Sequence, residues 1–159
     1  MGDSTTLKAI EPPLVLVLVS PQIPPNTGNV ARLCAVTGCR LVLVEPLGFS
    51  IADKELKRAG LDYWDKVFLK LYQSWEEYVS ATPGVRRWLF TARAGDAHWD
   101  VKYQGGDHLV FGSETKGLGA EILATGPNVT LPMLEERRSL NLSTAVGIAA
   151  YEALRQLSR

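Results

Sequence analysis

One run of six apolar residues, LVLVLV at residues 14–19, limits the folds open to this chain of 159 residues. The run is too short to cross a membrane, because a spanning helix needs about 20 apolar residues. Its uniformly apolar and partly β-branched composition is typical of a central parallel strand that is covered on both faces. It therefore predicts an α/β protein.

Further strands and helices alternate along the chain after this run. Strands are predicted at residues 40–46, 67–71, 86–91, 108–112 and 128–131, and helices at 25–38, 74–79 and 119–124, with short helical pieces at 53–58 and 62–65. A long helix rich in small residues ends near Leu157, whereas residues 95–104 are polar and are predicted to form a surface loop. This alternation predicts a mostly parallel sheet with helices on both faces.

The composition indicates one domain at residues 14–159, preceded by a disordered tail at residues 1–13 that lacks the apolar core of a signal peptide. The formal net charge is zero, which argues against a strongly basic nucleic-acid module but permits a local basic patch. Cys34 and Cys39 have no histidine near them in the sequence. They are therefore interpreted as buried thiols of a cytoplasmic protein that binds no metal and no membrane.

Three polar segments each follow a predicted strand, at residues 21–34, 112–119 and 132–143. Parallel sheets bind ligands beyond the carboxyl ends of their strands, so the three segments are expected to meet at one binding edge. Neither G-x-G-x-x-G nor the P-loop spacing occurs where a nucleotide-binding fold would need it. His98 and His108 lie far apart and are interpreted as structural or solvated.

The last polar segment is open to two interpretations. Ser139, Asn141, Ser143 and Thr144 interrupt a stretch that is otherwise apolar. Serine and asparagine compete with the helical backbone for hydrogen bonds, so they are typical of a helix start or of a binding loop. Ser143 would cap the final helix in the first case.

The three segments together resemble the ordered motifs of the SpoU-type RNA ribose methyltransferases of the SPOUT superfamily. The matching stretches are NTGNVAR (26–32), FGSETKGL (111–118), and LPM (131–133) followed by SLNLSTA (139–145). The resemblance covers the chain from Leu14 to Leu157. Over this length the chain is similar to the short, single-domain tRNA 2′-O-methyltransferases of that family. Ser113 stands where a proline is expected, and Lys116 stands where an arginine is expected.

The resemblance implies a fold, a cofactor and an assembly. The fold would be an α/β sheet whose C-terminal segment forms a deep trefoil knot. The cofactor would be S-adenosyl-L-methionine, and the protein would be a homodimer with its first and last helices at the interface. Ala145, Ala149, Ala150 and Ala153 give the last helix a small-residue face that suits such an interface, although an intrachain core would use the same face.

The resemblance also assigns site residues. The catalytic group would comprise Arg32, Asn26, Asn29, Glu114, Ser139 and Asn141. The cofactor would lie against the backbone of Thr91, Ala92, Gly112, Leu131, Met133, Ser139 and Leu140, and glycine at position 112 would leave room for it. Glu114 would anchor Arg32 or the target nucleotide.

The role of Arg32 can be argued from its chemistry. Transfer of a methyl group to a ribose 2′-OH needs in-line alignment and the loss of a proton. Arginine stays protonated in proteins and is a poor base, so Arg32 is expected to bind a phosphate and to orient the 2′-oxygen. Deprotonation of the hydroxyl by Arg32 remains the second option.

The implied substrate is the anticodon stem-loop of a tRNA, methylated on the ribose of its wobble cytidine or uridine. The expected RNA-binding surface carries the basic residues Lys54, Lys57, Arg58, Arg137 and Arg138. Two alternatives stay open: a catalytically silent RNA-binding dimer with the same fold, and a methyltransferase that acts on another tRNA or rRNA position.

Overall fold

A computed structural model describes residues 5–52, 54, 64–92, 95–135 and 140–158. Its strands are β1 (Val15–Val19), β2 (Arg40–Val44), β3 (Phe68–Tyr72), β4 (Arg87–Phe90), β5 (Asp96–Ala97), β6 (His108–Phe111) and β7 (Asn128–Thr130). Its helices are α1 (Pro24–Thr37), α2 (Trp64–Val67), α3 (Trp75–Ala81), α4 (Ala120–Leu123) and α5 (Leu142–Leu157). The predicted piece at residues 53–58 and most of that at residues 62–65 lie outside the described residues.

The strands form one sheet in the order β3-β2-β1-β6-β4-β7-β5, and every neighbouring pair is parallel. β1 lies near the centre, where Leu16 pairs with Leu41 on one side and with Leu109 on the other. All five residues of β1 are buried. The mostly parallel sheet predicted from this apolar run is confirmed.

Successive residues of β1 enter two different cores. Leu16 and Leu18 pack in the larger core, to which helices α1 and α5 contribute, whereas Val15, Val17 and Val19 pack in a smaller core with residues of α3 and α4. Side chains of a strand point alternately to opposite faces, so a strand covered on both faces must be apolar throughout. Helices therefore cover both faces, as predicted.

The prediction of a surface loop at residues 95–104 is wrong. Residues 96–97 form β5, which pairs with β7 at the edge of the sheet, while Val101 and Tyr103 are buried in the larger core. An edge strand is held through backbone bonds on one side only, so it needs no apolar run of its own.

The predicted disordered tail is in part packed against the domain. Ile10 contacts the larger core, and the backbone of Glu11 and Pro12 lies within 3.2 Å of the position that a Cβ on Gly105 would occupy. The part of the chain that the structure describes contains no helix long and apolar enough to cross a membrane.

Helix α1 follows the boundaries expected from its sequence. Proline occupies its first turn, where a missing N–H costs nothing, and the helix ends at Thr37. Gly38 closes it with φ = 81°, in the left-handed region that glycine tolerates best. Cys34 and Cys39 are free and buried, as predicted, and burial raises the pKa of both thiols.

The alanine face of α5 packs within the chain. Ala149, Ala150 and Ala153 are fully buried in the larger core that α5 shares with α1, and Ala145 is half-buried. The expectation that these alanines form a dimer contact is therefore wrong for the three buried ones, because no second chain can reach them. Ile148 and Tyr151 are exposed on the same helix.

Candidate active site

Two of the polar segments that follow strands meet at the carboxyl edge of the sheet, as predicted. β1 and β6 are neighbours, so the segments after them begin side by side. The segment after β7 leads through residues 131–135 to residue 140 and the start of α5, which packs beside α1. Hydrogen bonds between side chains then join all three segments.

Glu114 fixes the start of α1. Its Oε1 accepts a hydrogen bond from the backbone N–H of Gln22 at 2.8 Å, and its Oε2 accepts one from the backbone N–H of Ile23 at 2.8 Å. The Asn26 side-chain amide donates to Oε2 at 3.1 Å. Ile23 is the N-cap of α1, so the carboxylate holds the two residues that lead into the helix and the side chain of a residue in its first turn.

Asn26 connects Glu114 to the third segment. Its Oδ1 accepts a hydrogen bond from the Asn141 side-chain amide at 3.1 Å, so Asn26 donates on one side and accepts on the other. Asn26 is 5% exposed, so the amide has little access to water. The row of side chains Glu114–Asn26–Asn141 therefore ties together residues that are 88 and 115 positions apart.

Asn141 also caps α5. Its Oδ1 accepts from the backbone N–H of Thr144 at 3.3 Å and from the Ser143 hydroxyl at 2.7 Å. The interpretation of Ser143 as the cap is wrong, because that residue is already inside the helix and supports the cap through its hydroxyl. The two interpretations of this segment are thus compatible, since one asparagine caps the helix and joins the polar row.

Arg32 and Asn29 lie on the exposed face of α1. Within the described ranges Arg32 forms no hydrogen bond or ion pair, and the residue is exposed. The carboxylate of Glu114 bonds to Gln22, Ile23 and Asn26 rather than to Arg32. The expected contact between Glu114 and Arg32 is therefore not formed among the described residues.

The loop that follows β6 leaves no room for a side chain at position 112. A Cβ on Gly112 would lie 2.0 Å from the carbonyl carbon of Gly117 and 2.2 Å from the nitrogen of Leu118. The loop closes through hydrogen bonds from the Gly117 N–H to the Ser113 carbonyl and from the Lys116 N–H to the Ser113 hydroxyl. The close approach attributed to a bound cofactor is thus made by the chain itself.

The other residues expected at the cofactor that the structure describes lie at the same edge. Thr91 follows β4, and Leu131 and Met133 follow β7; all three are half-buried, whereas Ala92 and Leu140 are exposed. None of the described residues hydrogen-bonds to the backbone of Met133. The Met133 backbone, which has no partner among the described residues, and the half-buried apolar side chains beside it suit an adenosyl group, which has a flat apolar face and a polar edge.

Several predicted residues lie outside the described residues: Ser139, Lys57, Arg58, Arg137 and Arg138. Lys54 is exposed. The described part of the chain contains no group of three or more histidine, cysteine, aspartate or glutamate side chains that could hold a metal ion.

Two supporting features were missed by the sequence analysis. The backbone of residues 22–23 supplies the donors to Glu114, and Gly48 packs so closely on Gln22 that a Cβ there would lie 2.7 Å from its backbone. Backbone donors carry no sequence signal. Gly48, two positions after Pro46, was a sequence signal that another part of the backbone approaches closely there.

Comparisons with known proteins identify the family of this chain. The model of the SpoU rRNA Methylase family matches residues 13–151. A protein of Burkholderia cenocepacia named tRNA (cytidine(34)-2′-O)-methyltransferase is 49% identical over 146 residues, which cover 89% of this chain and 94% of that protein.

Solved structures give the same result. One that concerns 2-OH methylation of C/U34 on tRNA is 49% identical and superposes with a TM-score of 0.87 over 91% of this chain and 95% of the other. The SpoU methyltransferase AviRb of Streptomyces viridochromogenes, solved with AdoMet, is 23% identical and shares the fold, with a TM-score of 0.79 over 91% of this chain and 60% of AviRb. By sequence, by fold and by the order of its three motifs, this chain belongs to the SpoU methylase family.

Proposed function

We propose that this protein is an S-adenosylmethionine-dependent tRNA methyltransferase that modifies the ribose 2′-OH of the wobble nucleotide, cytidine or uridine 34. The observation that carries the proposal is the row Glu114–Asn26–Asn141, which joins the three motif segments at the helix that also carries the exposed Arg32. The relatives named for methylation of position 34 cover nearly the whole chain, which supports this substrate.

The cofactor would be held by the backbone at the carboxyl edge of the sheet. Leu131 and Met133 offer half-buried apolar walls, and the backbone of Met133 has no partner among the described residues. S-adenosylmethionine, when bound, supplies a methyl group activated by its positive sulfur. Thr91, Ala92, Ser139 and Leu140 are proposed as further backbone contacts.

Arg32 would act on the RNA. A guanidinium presents several N–H donors in one plane, so Arg32 can bind a phosphate and hold the ribose 2′-oxygen at the same time. Asn26, Glu114 and Asn141 then fix the helix that carries it. Asn29 lies three residues before Arg32 on the same exposed face and is proposed to contact the nucleotide. Ser139 would hold the ribose.

The assembly is proposed to be a homodimer through the outer faces of α1 and α5. Val36 of α1 is 61% exposed, and Ile148 and Tyr151 of α5 are exposed although they are large and apolar. Exposed apolar groups of this kind often mark interaction surfaces. The deep trefoil knot is likewise proposed from the family, and an experimental chain trace would test it. The enzyme is proposed to be cytoplasmic.

The function can be tested by methylating bulk tRNA with labelled S-adenosylmethionine and mapping the labelled nucleotide. The proposal requires label on the 2′-oxygen of nucleotide 34. Label at another tRNA or rRNA position would correct the substrate, and RNA binding without any transfer would leave a silent binding protein.

The role of Arg32 needs a matched pair of variants. Arg32→Ala is expected to lower single-turnover methylation by at least a hundredfold, or about 2.7 kcal/mol of transition-state stabilisation, while cofactor affinity stays the same. Arg32→Lys should restore little, because it keeps the charge but loses the planar donors. Arg40→Ala is the control, since Arg40 begins β2 at the opposite edge of the sheet. Methylation by Arg32→Ala within a few-fold of the parent would remove Arg32 from the mechanism.

A further inference from the structure

Trp99 is a large aromatic residue left in water at the binding edge of the sheet. Its side chain is 56% exposed, and Tyr151 is the only other exposed aromatic residue in the described ranges. Trp99 follows β5 by two positions, and the backbone N–H of His98 donates to the Thr130 carbonyl at 2.8 Å. The backbone next to Trp99 is therefore joined to the end of β7, from which residues 131–135, the segment proposed to hold the cofactor, begin.

The turn that carries Trp99 is held firmly. The Asp100 N–H donates to the Ala97 carbonyl at 2.9 Å, and the Tyr103 hydroxyl donates to the His98 carbonyl at 3.0 Å. The His98 ring, only 4% exposed, lies against the indole with ring centroids 5.4 Å apart. The His98 ring thus contacts the indole, and the Trp99 side chain has no hydrogen-bond partner among the residues that the structure describes.

The charges around Trp99 restrict what binds it. Asp96 lies three positions before it and Asp100 directly after it, against one cation, Lys102, three positions after it, and all three are exposed. Two carboxylates repel the phosphates of a nucleic-acid backbone, but a carboxylate accepts hydrogen bonds from the amino groups of bases. The surroundings therefore favour a base over a phosphate.

We propose that Trp99 stacks on an unpaired base of the substrate RNA, next to the nucleotide that is methylated. This inference rests on the proposed function. Bases of single-stranded loops are commonly bound by stacking on aromatic side chains, and a supported indole loses little freedom when a base is added. Trp99 would then determine RNA affinity and leave the chemical step to other residues.

The test compares Trp99→Ala with Trp99→Phe, using an anticodon stem-loop as the RNA. Stacking on an aromatic residue predicts that Trp99→Ala raises both the Kd for the stem-loop and the KM about tenfold to a hundredfold. Turnover at saturating RNA and cofactor affinity should not change. Trp99→Phe should recover most of the affinity. Leu69→Ala is the control, because Leu69 is similarly exposed, at 54%, on the opposite edge strand β3.

Fluorescence supplies a second measurement. Stacking should quench the indole emission of the parent when the stem-loop is added, and Trp99→Phe should remove that quenching although Trp64, Trp75 and Trp88 remain. A Kd for Trp99→Ala within twofold of the parent would overturn the inference. So would a loss of dimer in sedimentation, since Trp99 would then belong to a protein contact.

Different results would refute the proposed methyltransferase function and the proposed role of Trp99. A parent that binds the stem-loop but transfers no methyl group refutes the proposed function, and the Kd comparison still decides the role of Trp99. A parent that binds no RNA refutes both.

Discussion

A single amide group holds the candidate site together. An asparagine side chain carries a donor and an acceptor on one carbon, and Asn26 uses the donor toward Glu114 and the acceptor toward Asn141. An ionised aspartate, which has the same length, offers acceptors only. The site thus depends on the orientation of one nearly buried group.

Asn26→Asp is expected to destabilise the protein by about 1–3 kcal/mol, because a donor becomes a carboxylate that faces Glu114. The loss should be smaller at acid pH, where a proton on either carboxylate restores a hydrogen bond. Urea unfolding at several pH values measures it. Asn29→Asp is the control, since Asn29 is exposed on the same helix. Equal losses for the two variants would show that the row contributes no stability.

Gly112→Ala is expected to cost more than about 3 kcal/mol, because its Cβ would overlap the backbone of Gly117 and Leu118. Gly119→Ala is the matched control: φ at Gly119 is −67°, and a Cβ there meets nothing within 4 Å. Thermal unfolding of both variants measures the difference. If Gly112→Ala melts with the parent and loses only cofactor binding, the close approach belongs to the ligand.

At the scale of elements, helix α5 has an inner and an outer face with different tasks. Its inner alanines let α5 approach α1 closely within the chain, and its outer face leaves Ile148 and Tyr151 in water. Sequence periodicity defines which residues share a face, but it does not tell what covers that face. This is why the alanine face was assigned in part to a dimer contact.

Ala149→Glu should therefore unfold the protein rather than dissociate it, because an unpaired charge would enter a closed core. Ile148→Asp should keep the fold and shift the protein from dimer to monomer. Circular dichroism and sedimentation velocity, run on both variants, distinguish these results. If Ala149→Glu gave a folded monomer, the alanine face would belong to the dimer interface after all.

The elements that the sequence predicted well are those with strong local signals. The run at β1 and the proline and glycine at the two ends of α1 indicated these elements correctly. β5 was missed because two residues at a sheet edge carry no pattern, and its pairing with β7 depends on backbone groups. The three segments of the site were predicted to meet, but the bonds from Glu114 to the backbone of residues 22–23 exist only after folding.

At the scale of the whole molecule, the two edges of the sheet differ in chemistry. The carboxyl edge carries the polar row, whereas the amino edge holds a buried pair in which the Tyr78 hydroxyl lies 2.6 Å from His108 Nδ1. Burial and, to a smaller extent, nearby Arg87 together lower the pKa of His108 to about 4. Burial also raises the pKa of Tyr78 to about 12, so both groups stay neutral at pH 7.

This pair makes the stability of the domain depend on pH. His108 in the unfolded chain has the ordinary pKa of 6.5, so below that pH the unfolded state binds more protons. The free energy of unfolding should therefore have its full value above about pH 6.5. It should fall by up to about 3 kcal/mol as the pH drops toward 4. Urea unfolding from pH 8 to pH 4 measures the slope. His108→Gln should flatten it by that amount, and parallel curves for the two proteins would contradict this assignment.

The span of the polar row also has a consequence for the order in which the protein is made. Asn26 leaves the ribosome 115 residues before its partner Asn141. A nascent chain thus carries its first motif long before the asparagine that secures it exists. Only a finished and folded molecule possesses the complete site, so a chain released early would have no means of consuming the methyl donor of the cell.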